Sequence, residues 1–155
     1  MTEAPRNPAT QDIVVEEILP HAPATIWKTL TTGELIDRWL MKSAGFRPVE
    51  GTHFTLHTTP AGAWDGVIHC EVLEVKRNER LSYSWQSGHD DNTEYGSRLD
   101  TVVTWTLAKV DGGTRLRVVH SGFVLPKNAT TMRNLGEGWK KVVGNIGVIS
   151  RERAH

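Results

Sequence analysis

The stretch Leu81-Ser82-Tyr83-Ser84-Trp85-Gln86 alternates large apolar and polar side chains without interruption. Successive side chains of a strand point to opposite faces, so this pattern predicts a strand with Leu81, Tyr83 and Trp85 on its dry face. Working outward, Val103, Trp105 and Leu107 alternate with Thr104 and Thr106, and Leu116, Val118 and His120 alternate with Arg117 and Val119. Upstream, Phe54 and Leu56 alternate with Thr55 and His57. The run Val67 to Val75 is β-rich but apolar on both faces, which leaves its inward phase open. Asp111-Gly112-Gly113, Pro60-Ala61-Gly62 and the polar Lys76 to Arg80 supply turns between these strands. Ser87 to Ser97 reads as a long, mobile polar loop.

Beyond the strands the period changes. Met132, Leu135, Trp139, Val142, Val143, Ile146 and Ile149 fall on one broad face of a long terminal helix. At the other end, Ile13 to Leu19 reads as a strand. Ala22-Pro23 then opens a helix, with proline in the first turn where its missing N–H costs nothing. Ile26, Trp27 and Leu30 give that helix an apolar face, and Thr31 with Glu34 fits a capping box for a second short helix carrying Leu35, Ile36, Trp39 and Leu40. Consecutive strands prefer to pair as a meander, and one sheet face is left for the helix to cover. The prediction is an α+β fold: a curved antiparallel sheet of about six to seven strands wrapped around a long C-terminal helix. Residues 1–11, polar with two prolines, read as disordered, and residues 12–155 as one domain.

Composition narrows function. Lys and Arg number 18 and Asp and Glu 18, so the formal net charge is zero, which removes the diffuse attraction that nucleic-acid binding draws on. No apolar run approaches the roughly 20 residues of a membrane span, and the N-terminus lacks a secretory signal, so a cytoplasmic location is expected. Cys70 is the single cysteine, which excludes an internal disulfide and Cys-based zinc sites. Aromatic use is unusual: six Trp stand against two Tyr and three Phe.

Four motifs then carry a resemblance. Ala22-Pro23, Ile26-Trp27 and Thr31 resemble the opening of the activator of heat-shock-protein-90 ATPase homologue family; Asn78-Glu79-Arg80-Leu81 through Trp85 resembles its "P-x-R-L…W" strand. Thr114-Arg115-Leu116 to His120-Ser121-Gly122-Phe123 is similar to its "HSGF" strand, and Gly138-Trp139 to the "GW" of its last helix. The resemblance implies the SRPBCC (START-like) superfamily, a helix-grip fold and a cavity between sheet and terminal helix. Relatives with that fold include birch-pollen-allergen-like proteins, lipid-transfer domains and polyketide cyclases. Leu40-Met41 departs from the family's usual Trp and Pro, and Val143 and Ile146 replace its usual leucines, which points to a divergent pocket.

The candidate cavity lining is Phe54, Leu56, Tyr83, Trp85, Val103, Trp105, Val118, His120, Met132, Leu135, Trp139 and Val143. These side chains either form a heavy core or line a site for a small apolar or aromatic ligand. Gly136 and Gly138 beside Trp139 could leave a gap there, or simply let the helix pack tightly. His120 and Tyr83 are candidate polar anchors, or general acid/base groups if the chain is a cyclase-like enzyme, and Glu71 or Glu74 could add a carboxylate. His53 and His57 share one strand face opposite Phe54 and Leu56, with His69 on a neighbouring strand, and read as solvated surface, so no metal is expected; no other cofactor is expected either. Two further readings follow from the resemblance: an interaction module for the heat-shock-protein-90 chaperone, and a stress-related role. Oligomeric state is left open.

Overall fold

A computed structural model describes residues 10–153. Residues 1–9 of the expected disordered segment lie outside the described residues, whereas Thr10 and Gln11 already belong to the first strand. That strand, β1, spans Thr10–Leu19, and is followed by helices α1 (Pro23–Thr31) and α2 (Gly33–Trp39). Six strands follow: β2 (Lys42–Ala44), β3 (His53–His57), β4 (Val67–Lys76), β5 (Arg80–Ser87), β6 (Leu99–Val110) and β7 (Gly113–Val124). Helix α3 (Ala129–Arg153) closes the chain. The single sheet has the order β1-β7-β6-β5-β4-β3-β2, with every pair antiparallel. It is the expected meander with β1 added beside β7, curved around α3.

Three local departures from the sequence reading have physical causes. The Thr31–Glu34 capping box does not form. Thr31 Oγ1 donates instead to the Trp27 carbonyl at 2.8 Å inside α1, and α2 starts at Gly33 after an extended Thr32. In β4 the pairing shifts between Val72 and Glu74, so Leu73 is a bulge residue. Ile68, Cys70 and Val72 face inward, Leu73 is pushed out to solvent, and the strand is apolar on both faces because the bulge swaps them. The carboxylates follow: Glu71 lies on the outer face and Glu74 pairs with Arg80 at 2.7 Å among exposed groups, so neither points inward. In β7, Gly122 takes φ 102° where the register with β1 shifts, which aims Phe123 inward as well as His120.

Helix α3 lies on the concave face. Trp139, Val142, Val143, Ile146 and Ile149 are buried on the side the heptad-like spacing predicts. Thr29 of α1 and Ser150 of α3 share a buried hydroxyl–hydroxyl bond of 3.0 Å, and the Trp39 indole donates to the Thr29 carbonyl at 2.9 Å. These bonds stitch both short helices to the sheet's cover. A Cβ at Gly136, Gly138 or Gly144 would meet open space, and only Gly147 is tightly packed, against Leu19.

The β6–β7 hairpin separates two uses of glycine. Gly112 and Gly113 both have positive φ (86° and 149°), but a Cβ at Gly113 would fall on the Leu19 carbonyl, whereas at Gly112 it meets nothing. Gly112→Ala should cost roughly 1–2 kcal/mol from the left-handed backbone alone. Gly113→Ala should cost clearly more, because the end of β1 must move. Urea midpoints of the two variants check this, and equal losses would contradict it.

Candidate functional site

The middle of the interior is a continuous stack of rings. Trp39 meets Trp105 edge-on at 5.6 Å, Trp105 meets Trp139 at 5.6 Å, Trp139 meets Trp85 at 5.7 Å, and Trp85 meets His120 at 5.0 Å. Phe123 extends it from His120 at 4.6 Å, and Phe54 packs on Tyr83 at 5.3 Å. Such contacts add about 0.5–1.5 kcal/mol each beyond area burial. Trp85, Trp105 and Trp139, read from the sequence as facing one interior, are buried together, and Trp39 joins them from α2. They touch one another and fill it.

Hydrogen bonding fixes the polar members of this stack. The Trp139 indole N–H donates to His120 Nδ1 at 3.1 Å. An indole can only donate, so Nδ1 is an acceptor. Thr101 Oγ1 donates to the Trp85 carbonyl at 2.8 Å and lies 2.8 Å from His120 Nε2. With its own proton committed, Thr101 accepts from Nε2–H. His120 is thus the neutral Nε2–H tautomer, completely buried, and burial pushes its pKa down from 6.5 to about 3. Tyr83 is equally committed: its Oη accepts from the Trp105 indole at 3.0 Å, and burial raises its pKa. Neither side chain lines the cavity described next; His120 is bonded to Trp139 and Thr101, and Tyr83 to Trp105.

The cavity lies towards one end of the concave face and measures about 230 Å³. The sheet contributes Ile68, Trp85 and Leu99, helix α3 contributes Thr131, Asn134 and Leu135, and Met41 closes one side. Its roof is two loops, residues 58–66 and 88–98, which bring Trp64 and Tyr95 together at 6.0 Å. Of the twelve residues read from the sequence, Trp85 and Leu135 are on its wall. Met132 borders a separate open groove between β1 and α3, which Gly136 also lines. Phe54, Leu56, Tyr83, Val103, Trp105, Val118, His120, Trp139 and Val143 are buried away from that wall.

Asn92 ties the two roof loops together. Its Nδ2 donates to the Ala61 carbonyl at 2.7 Å, and its Oδ1 accepts from the Ala63 N–H at 3.1 Å. The loop 88–98 is then hung from the start of α3. Asn128, buried just before the helix, donates to the Ser97 hydroxyl and to the Arg98 carbonyl, both at 3.0 Å, and Thr131 donates to the Glu94 carbonyl at 3.2 Å. This loop is held by its own bonds, rather than free as its composition suggested.

Some of these residues had a readable signal. Met41 falls at the departure Leu40-Met41, and extending the Val103-Trp105-Leu107 alternation backwards by two steps reaches Thr101 and Leu99. Trp64 lies just past the Pro60-Ala61-Gly62 turn, outside any periodic run. Its indole donates to the Val67 carbonyl at 3.0 Å, and its ring is a wall of the cavity. Ser97, Asn128 and Thr131 carry no periodic signal. Among the described residues no group of three or more His, Cys, Asp or Glu could hold a metal, and no helix is long and apolar enough to cross a membrane.

A seven-stranded antiparallel sheet gripping one long C-terminal helix, with a cavity at one end of the grip, is a helix-grip, START-like domain. The family model described as "Activator of Hsp90 ATPase homolog 1-like protein" matches residues 20–149, and the chain belongs to that family. Protein MLL2253 of Mesorhizobium loti is similar at 34% identity with a TM-score of 0.80, over 94% of this chain and 99% of that one. The fold also recurs in BH1534 of Bacillus halodurans, at 24% identity and a TM-score of 0.69 over 90% and 96% of the two chains. It recurs again in the Aha1 dimer of Colwellia psychrerythraea, at 18% and 0.64 over 86% and 90%. No curated protein matches.

Two predictions follow from this geometry. Below pH 6.5 the unfolded chain binds a proton on His120 that the folded chain refuses until about pH 3. Stability is therefore fully present above pH 6.5 and should fall on acidification by up to about 1.4 kcal/mol per pH unit from this group. Urea midpoints at pH 7, 5.5 and 4 should show that fall in the parent and a shallower one in His120→Gln. Asn92→Ala should release the roof. Hydrogen exchange in residues 58–66 is expected to accelerate about tenfold at the Ala63 and Trp64 amides, while strands β5 to β7 keep their protection. Unchanged exchange there would mean that Asn92 does not hold the loops.

Proposed function

We propose that this chain is a binding module that retains a small apolar or aromatic molecule in the 230 Å³ cavity between sheet, roof loops and α3. The observation that carries the reading is the wall. Aromatic and aliphatic side chains from three parts of the chain converge on one space, and neutral hydroxyl and amide groups stand among them. That mixture suits an uncharged ligand, since burying an ion against such a wall would cost several kcal/mol.

Volume narrows the ligand. An engineered cavity of about 150 Å³ holds benzene, whereas drug-sized ligands occupy about 300–1,000 Å³. The cavity here falls between them and suits one or two rings rather than a long acyl chain. The aromatic stack sets that limit, because Trp85, Trp105 and Trp139 occupy the centre of the grip where a deeper pocket would extend.

A panel of one- and two-ring aromatics against the melting temperature tests this. A ligand at a hundredfold excess over its Kd stabilises by about 2.7 kcal/mol, which for a domain of this size is a rise of roughly 5–10 °C. Leu135→Trp should fill the cavity and abolish the rise while retaining the fold. No response across the panel, or an equal response in the filled variant, would refute the proposal.

A further inference from the structure

We infer that the cavity selects a ligand bearing an aromatic hydroxyl, a phenol, through the side chains of Ser97 and Thr131. This rests on the binding reading above and names the ligand class for that same cavity.

The argument is a count of protons. Asn128 Oδ1 accepts from the Val124 N–H at 2.8 Å, which fixes the orientation of its amide. Its Nδ2 must then donate to Ser97 Oγ, as it does at 3.0 Å, and its other proton goes to the Arg98 carbonyl. Ser97 Oγ is therefore an acceptor towards Asn128, and its own proton has to go elsewhere. Among the described residues the acceptor within its reach is Thr131 Oγ1 at 3.5 Å, well beyond the 2.7–2.8 Å usual between hydroxyls. Thr131 meanwhile gives its proton to the Glu94 carbonyl at 3.2 Å, so its oxygen is left to accept, and the long contact from Ser97 uses it poorly.

Both residues are on the cavity wall and both are buried, Ser97 at 1% exposure. The wall thus offers one poorly used donor beside one poorly used acceptor. A hydroxyl matches that pair, since it can accept from Ser97 and donate to Thr131 in the same position. A hydrocarbon leaves both groups as they are. A carboxylate would set its own lone pairs against those of Thr131, with no cation on the wall to compensate. Trp64, Trp85 and Leu135 enclose the ring.

The test compares 4-ethylphenol with 4-ethyltoluene, near-isosteres that differ by a hydroxyl and a methyl, by calorimetry on the full chain. One neutral hydrogen bond is worth about 0.5–1.5 kcal/mol. The ratio of the two affinities should therefore fall about three- to tenfold in Ser97→Ala and in Thr131→Val, and recover in Thr131→Ser. Should Ser97→Ala fail to fold because the Asn128 amide loses its acceptor, the two Thr131 variants, which leave that amide paired, carry the result. If the parent binds both compounds and the ratio stays within twofold in Thr131→Val, the hydroxyl selection is wrong and the binding reading stands. If the parent binds 4-ethyltoluene alone, the selection is again wrong. If the parent binds neither compound nor any other aromatic of the panel, both readings fail together.

Discussion

One hydrogen-bonded line runs through the interior: the Trp139 indole to His120, His120 to Thr101, and Thr101 to the Trp85 carbonyl. It crosses α3, β7, β6 and β5 in that order. Apolar packing alone would let a helix slide or rotate on a sheet with modest penalty. This line does not, because each donor and acceptor in it has one partner to use and a buried polar group left unpaired costs about 1–3 kcal/mol. The position of α3 along the sheet follows from it, and so does the aromatic stack, whose rings are oriented by the same bonds. The cavity is what remains at the end of the grip once those rings are in place.

The fold was legible because its signals are local and periodic. Alternation in 81–86, 103–107 and 116–120, together with one apolar face from Met132 to Ile149, is enough to specify strands around a helix, and the apolar positions are buried as read except Met132 and Leu135, which are half-buried. The failures share a different origin. Thr31 and Glu34 satisfy a capping pattern, but the α1 backbone offered Thr31 a nearer acceptor. Leu73 and Gly122 shift the phase of their strands by one residue, and a period-2 reading has no means of placing a bulge.

The candidate site was less legible for a related reason. Burial pattern tells which side chains face inward, not whether they meet. Nine of the residues assigned to a cavity lining face inward and close on one another. The wall that does surround a space is built largely by loops, through Trp64, Tyr95 and Ser97, whose positions depend on Asn92 and Asn128 reaching across 29 to 31 residues of chain. Of the twelve residues read as lining, Trp85 and Leu135 reach the wall.

The sheet is open, with β1 and β2 as its two edges, and each edge is guarded differently. Strand β2 is three residues long, too short to template a neighbour. Strand β1 has ten residues and exposes Val14 and Ile18, a surface on which another extended chain could align. Asp12, Glu16 and Glu17 interrupt it with negative charge. Two copies meeting edge to edge there would oppose like carboxylates along the growing ladder, so this acidic strand works against aggregation as well as completing the sheet.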